Sequence, residues 1–98
     1  MSTKFIKTDK QLTCQFSSRM DTTACMEIEN EINENIDNFQ GQIVFELKDV
    51  TYIASSFLRF CGRTVKAVGC DNFTLVNAAP EIKKVFRIAG LVEHLNIS

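Results

Sequence analysis

Two short apolar runs, "QIVFEL" at 42–47 and "FTLV" at 73–76, are each followed by a stretch whose apolar residues recur every third or fourth position. That is a strand handing over to a helix, twice in succession. Strands joined through a helix run parallel and need right-handed crossovers, so the repeat commits the chain to an α/β domain with a largely parallel sheet. "QIVFEL" reads as a strand lying inside such a sheet and covered on both sides. Glu46, near its end, is the residue that asks for a reason.

The helices follow from the spacing. From Thr23 to about Phe39, Cys25, Ile28, Ile32, Ile36 and Phe39 form an apolar stripe, with Glu27, Glu31 and Glu34 away from it and Gly41 as the stop. From Ser55 to Val68 the expected core stripe is Leu58, Cys61, Gly62, Val65 and Val68. Phe57, Phe60 and Thr64 make a row beside it, expected to be only partly covered, and Arg59, Arg63 and Lys66 make a basic stripe. "NAAPEIKKVFRIAGL" starts a third helix at Pro80 and ends it at Gly90, with Ile82, Val85, Phe86 and Ala89 as its buried stripe. "KFIK" and "QLTCQF" read as an N-terminal hairpin, "SSRMDTT" as a loop, and "EHLNIS" as a last short strand. The order is β β α β α β α β in one domain spanning 1–98, a single mixed sheet with helices packed against it.

Charge narrows the partners. Net charge is −1, yet residues 1–50 carry five Lys/Arg against nine Asp/Glu, and residues 51–98 carry six against three. Acidic and basic faces of that kind suit protein partners rather than nucleic acid, whose phosphates call for a strongly basic surface. No apolar run approaches the roughly 18 residues of a membrane helix, and "MSTKFIKTDK" lacks a signal peptide's apolar core. A cytoplasmic protein is expected. Cys14, Cys25, Cys61 and Cys70 show no CxxC spacing and sit in apolar patterns, so they read as reduced, mostly buried thiols. His94, the single histidine, reads as a surface residue. With no nucleophile–base pair, no glycine-rich phosphate loop and no metal-ligand cluster, the expectation is a non-enzyme without cofactor or metal.

"IVFELKDVTYIASSFLRF", followed by "FTLVNAAPEIKKVFRIAGLVEHLNIS", resembles the STAS domain of bacterial anti-sigma-factor antagonists. That family ends an apolar strand in Asp-Leu and continues with V-x-[FY]-[IM]-D-S-[ST]-G-[LA]. "SRMDTTA" is similar to its G-x-[LI]-D-x-x-[TS] loop, with Asp21 as the loop acid. The resemblance implies a STAS fold and a switch protein that binds an anti-sigma factor kinase, frees a sigma factor and is reset by a phosphatase. The family's phosphorylated residue falls on Ser55, with Ser56 as the fallback. The partner surface falls on Asp21, Ala54, Ser56, Phe57, Arg59, Phe60 and Arg63. Ala54 stands where the family has Asp, Phe57 where it has Gly, and Glu46 where it has the strand-end Asp.

From the residues alone, Ser55-Ser56 is a helix N-cap, and the basic stripe is either solvated or a docking face. Two functions stay open. One is the phosphorylation-controlled antagonist. The other is a STAS module that is never phosphorylated, such as a transporter accessory subunit of the MlaB type or a stressosome-like scaffold. Some family members add a helix after the last strand, and a chain without one is expected to be a monomer or a weak homodimer.

Overall fold

The computed structural model describes residues 3–37 and 39–90 and the backbone of 96–97, with Cys70 described by its backbone alone. The surface placement expected for His94, the burial expected for Cys70 and the first residues of "EHLNIS" therefore lie outside the described residues.

The elements are β1 (Lys4–Lys7), β2 (Gln11–Met20), α1 (Thr22–Asp37), β3 (Gln42–Ile53), α2 (Ser55–Val68), β4 (Phe73–Val76), α3 (Pro80–Ile88) and β5 (Asn96–Ile97), with a 3-10 turn at Cys70–Asn72 before β4. They form a five-stranded sheet in the order β1-β2-β3-β4-β5. β1 pairs antiparallel with β2, as a hairpin must, and every other pairing is parallel. Thr8 turns the hairpin, its hydroxyl accepting the Gln11 N–H at 3.1 Å. At Gly41, before β3, an added Cβ would lie 2.5 Å from the Lys10 carbonyl oxygen, so a side chain has no room there.

Successive parallel strands laid side by side in one direction place all their right-handed crossover helices on the same face of the sheet. β3 is thus covered on one face, not on both. Its helix-facing residues Ile43, Phe45 and Leu47 join Leu12, Cys14, Phe16, Phe73 and Leu75 in the core. The alternate residues form cross-strand rows on the other face: Ile6, Thr13, Val44 and Thr74 in one, and Lys4, Gln15, Glu46 and Val76 in the next. That is the reason for Glu46. Its carboxylate belongs to the face without helices, where it is only half-buried.

β2 and β3 run further than their apolar patterns indicate. The stretch expected as a loop, 17–20, continues β2, and "KDVTYI" continues β3. Two register shifts put extra residues on β3, between the Gln15–Glu46 and Ser17–Asp49 pairs and between the Ser18–Val50 and Arg19–Tyr52 pairs. The buried positions of β3 accordingly change their spacing, from Ile43, Phe45 and Leu47 to Val50 and Ile53. Ser18 takes a positive φ of 62° at this irregularity.

Five phenylalanines form the centre of the core. Phe45 meets Phe16 and Phe73 edge-on at 4.9 Å and stacks with Phe60 at 5.9 Å, while Phe57 meets Phe16 edge-on at 5.2 Å. Burying one such ring is worth roughly 1.5–3 kcal/mol. This aromatic cluster sets the rotation of α2. The buried row is Phe57, Phe60, Cys61 and Thr64, and the expected stripe members Leu58, Gly62, Val65 and Val68 sit at its half-buried margin. Thr64 satisfies its buried hydroxyl by donating to the Phe60 carbonyl at 3.0 Å. On α1, Cys25, Ile28, Ile32 and Ile36 are buried as expected, and the helix ends at Asp37, before Phe39. α3 buries Ile82 and Phe86 but leaves Ala89 exposed, and Gly90 closes it at φ 75°.

Candidate functional site

β2 and β3 are neighbours, and their last residues, Met20 and Ile53, are paired. Each strand yields to a helix after a single residue, Asp21 before α1 and Ala54 before α2. The Ala54 N–H donates to the Met20 carbonyl at 2.9 Å, which ties the two junctions together. Two helix N-termini therefore stand side by side above one edge of the sheet. Asp21 caps α1, its Oδ1 accepting the Ala24 N–H at 2.9 Å. Ser56, in the first turn of α2, bonds to Thr22 in the first turn of α1, Oγ to Oγ1 at 3.2 Å. Seven residues further along each helix, Arg63 forms an ion pair with Glu29.

The N-cap of α2 is Ala54, with φ −92° and ψ 166°, and it has no side chain to cap with. Its carbonyl accepts the N–H groups of Phe57 and Leu58 at 3.0 and 3.3 Å. Neither serine caps this helix: Ser55 is its first residue and Ser56 its second. As neighbours on a helix, the two point about 100° apart. Ser56 is half-buried and turned toward α1. Ser55 is exposed, its hydroxyl makes no hydrogen bond among the described residues, and it lines a shallow hollow of about 300 Å³ with Leu58, Arg59, Gly62 and Ala89. Arg59 is exposed one turn beyond Ser55 on that wall.

The site residues read from the sequence thus divide. Asp21, Ala54, Ser55, Ser56 and Arg59 gather at the two helix starts. Arg63 lies on the α1 side, held by Glu29. Phe57 and Phe60 do not belong to a surface at all, being 0% and 3% exposed, because their rings complete the aromatic cluster. Thr22 and Glu29 were not among the expected site residues. Each lies 34 positions before its partner, a spacing that gains meaning only once β2 and β3 are known to be neighbours.

Beneath the helix starts, burial pushes the Cys25 thiol up, opposed by the Ser56 hydroxyl and reinforced by Asp21 and Glu29. Burial raises Cys61 further, with Cys25 adding to it. Cys14, within the sheet, is pushed up by burial to about 12. These thiols stay protonated, in line with their role as small core residues. Arg19 lies over the Tyr52 ring at 4.3 Å where β2 and β3 end. Among the described residues no helix is long and apolar enough to cross a membrane.

A family model described as the STAS domain matches residues 3–98. No curated protein matches the sequence. Among solved structures, the chain is similar to an anti-sigma factor antagonist from Mycobacterium paratuberculosis, with 18% identity, a TM-score of 0.88, and coverage of 98% of this chain and 83% of that one. It is also similar to an anti-sigma-factor antagonist (STAS) domain protein from Planctomyces limnophilus, with 16% identity, a TM-score of 0.85 and coverage of 98% and 87%. The Bacillus cell fate determinant SpoIIAA in its phosphorylated form gives 17% identity, a TM-score of 0.75 and coverage of 99% and 91%. At such identities the structures share the fold. With the family model matching from residue 3 to residue 98 and the strand and helix order of these structures throughout, the chain belongs to the STAS domain family.

Proposed function

We propose that this protein is an anti-sigma factor antagonist: it binds an anti-sigma factor that is also a serine kinase, releases a sigma factor, and is switched off by phosphorylation of Ser55. One observation carries the reading. At the position matching the family's phosphorylated serine, the chain presents an exposed hydroxyl at the first residue of a helix, engaged in no hydrogen bond among the described residues.

That placement suits a switch. A phosphate on Ser55 adds about −1.5 to −2 charges at pH 7. It meets the unpaired N–H groups and the positive end of α2, so it is tolerated without unfolding the helix. Arg59, one turn on, offsets part of its charge. The consequence falls on a docked partner, which would face a new dianion where it faced a hydroxyl. Ser56 is the weaker acceptor because its hydroxyl is already bonded to Thr22. The role is one of binding rather than catalysis, exercised in the cytoplasm by a monomer or weak homodimer, with a phosphatase restoring the serine.

A second reading, a module permanently docked and never phosphorylated, is favoured by Ala54, which leaves the N-cap without the carboxylate of the family pattern. One experiment separates the two. The protein is incubated with ATP and each anti-sigma kinase encoded in the same genome, and phosphate is mapped by mass spectrometry. Phosphate on Ser55, abolished in Ser55→Ala, is the expected result. Its absence with every kinase would leave the permanently docked module.

A further inference from the structure

We infer that the hollow between α2 and the end of α3 is a docking groove for an acidic amphipathic helix of a partner protein, whose apolar anchor sits over Gly62. The inference deepens the partner-binding reading above by naming the partner's chemistry, and it holds whether or not Ser55 is phosphorylated.

The shape comes from small residues. Gly62 and Ala89 both line the hollow, and a Cβ added at Gly62 would meet nothing within 4 Å. Leu58, one turn before Gly62, gives the groove a half-buried apolar wall. Ile88, next to Ala89 in sequence, is at 76% the most exposed large apolar side chain among the described residues. A gap left by glycine beside partly covered aliphatic groups receives an apolar side chain from outside.

Charge identifies what carries that side chain. α2 and α3 together hold six cations (Arg59, Arg63, Lys66, Lys83, Lys84 and Arg87) against one anion, Glu81. Arg63, in the same basic stripe but nearest α1, is engaged by Glu29. Arg59 and Lys66 remain on the groove side, three residues before Gly62 and four after it, the spacing that places side chains on one helical face. An apolar slot between two cations complements a helix with an apolar stripe flanked by carboxylates. The same complementarity disfavours the α1 side of α2, where Glu29 already pairs with Arg63 across the two helices. Ser55 lies at the groove's end, so its modification changes the charge that the acidic helix meets.

The test titrates the ¹⁵N-labelled full chain with a synthetic amphipathic helix of about 18 residues, leucines at helical spacing and glutamates between them. Saturable amide shifts at Leu58, Arg59, Gly62 and Ala89, absent with a lysine version of the peptide, support the groove. Gly62→Leu, whose Cβ meets nothing within 4 Å and whose side chain would occupy the gap, should weaken binding about tenfold or more, as should the pair Arg59→Glu and Lys66→Glu. Lys48→Glu, on β3, should leave it unchanged. Shifts confined to other residues, no shifts at millimolar peptide, or undiminished binding by Gly62→Leu would overturn the proposal. So would the same shifts arising from the protein alone as its concentration rises, which makes the occupant a second copy, or co-sedimentation with phosphatidylglycerol vesicles in place of peptide binding. None of these outcomes alters the phosphate map at Ser55, so the groove and the switch fail separately.

Discussion

Thr22 and Ser56 bond through their hydroxyls at 3.2 Å across 34 positions of sequence, and Glu29 and Arg63 pair across the same 34. The two helices run parallel and in register because the strands that launch them are parallel neighbours, joined at Met20 and Ile53. Ser55, one residue from this contact, is turned away toward α3.

The Glu29–Arg63 pair is exposed, 60% at Arg63 and 35% at Glu29. Its contribution is accordingly about 1 kcal/mol or less and falls with salt. Arg63→Glu should lower the urea midpoint slightly by setting two carboxylates together, and the swapped pair Glu29→Arg/Arg63→Glu should recover most of the loss. A loss in Arg63→Glu that the swap does not recover would show that the arginine acts through its stem packing rather than its charge.

Ala54 has the extended backbone of an N-cap and lacks the side chain for it. Ala54→Asp supplies both a hydrogen-bond acceptor and a negative charge at the positive end of α2, so unfolding free energy should rise by about 0.5–2 kcal/mol. The gain is present above the carboxyl's ordinary pKa and is lost as pH falls through its lowered folded value. Ser55→Ala, which removes no cap and no bond, should stay within about 0.5 kcal/mol of the parent. Paired urea titrations at pH 7 and pH 3 check all three.

What the sequence discloses depends on whether one period persists. The bounds of α2 and β4 are legible from apolar spacing and the stop signal at Gly69, although the cap of α2 falls on Ala54 rather than on a serine. β2 and β3 are not: their patterns break at Phe16 and Leu47, where register shifts change the spacing of inward side chains. A period-2 reading takes such a break for the end of a strand. The rotation of α2 is hidden for a different reason. Two apolar rows share that helix, and the choice falls to Phe57 and Phe60 only because Phe16, Phe45 and Phe73 come together from three separate strands. The positions of Ser55 and Asp21 were legible from motif. That Ser56 meets Thr22 of α1 while Ser55 lines the hollow with Ala89 was not, since it depends on how the helices lie beside one another.

Phe57 occupies the family's glycine position and is wholly buried. Phe57→Ala removes its ring from the cluster and should cost about 3–5 kcal/mol, a large share of a small domain's total stability. Phe57→Leu should cost clearly less. Thermal melts followed by near-ultraviolet circular dichroism read both, and a change below about 1 kcal/mol for alanine would refute the packing assigned to this ring.

Gly62 lies inside α2, and an added Cβ there meets nothing within 4 Å. Gly62→Ala should therefore stabilise the protein by about 0.5–1 kcal/mol through helix propensity alone. Destabilisation on urea titration would mean that the open space beside Gly62 is closed in solution.

The buried thiols set an alkaline limit. Cys14 is pushed up from 9.0 to about 12 by burial, and burial raises Cys25 and Cys61 as well. A folded-state pKa above the unfolded one means that the unfolded chain gives up its thiol protons first as pH rises. The contribution is therefore fully present below about pH 9 and drains away between there and the folded value. Each thiol that remains protonated costs about 1.4 kcal/mol of stability per pH unit across that window. Urea midpoints should be flat near neutral pH and fall steeply between pH 9 and about 11, reversibly if a reductant is present. Cys14→Ala creates a cavity and is less stable at pH 7, yet its decline above pH 9 should be shallower by one thiol's share. Iodoacetamide at pH 8.5 should modify Cys14 and Cys61 only as fast as the protein opens. Rapid labelling of either in the native protein, or parallel pH profiles for the parent and Cys14→Ala, would show that these thiols are not sealed in the core.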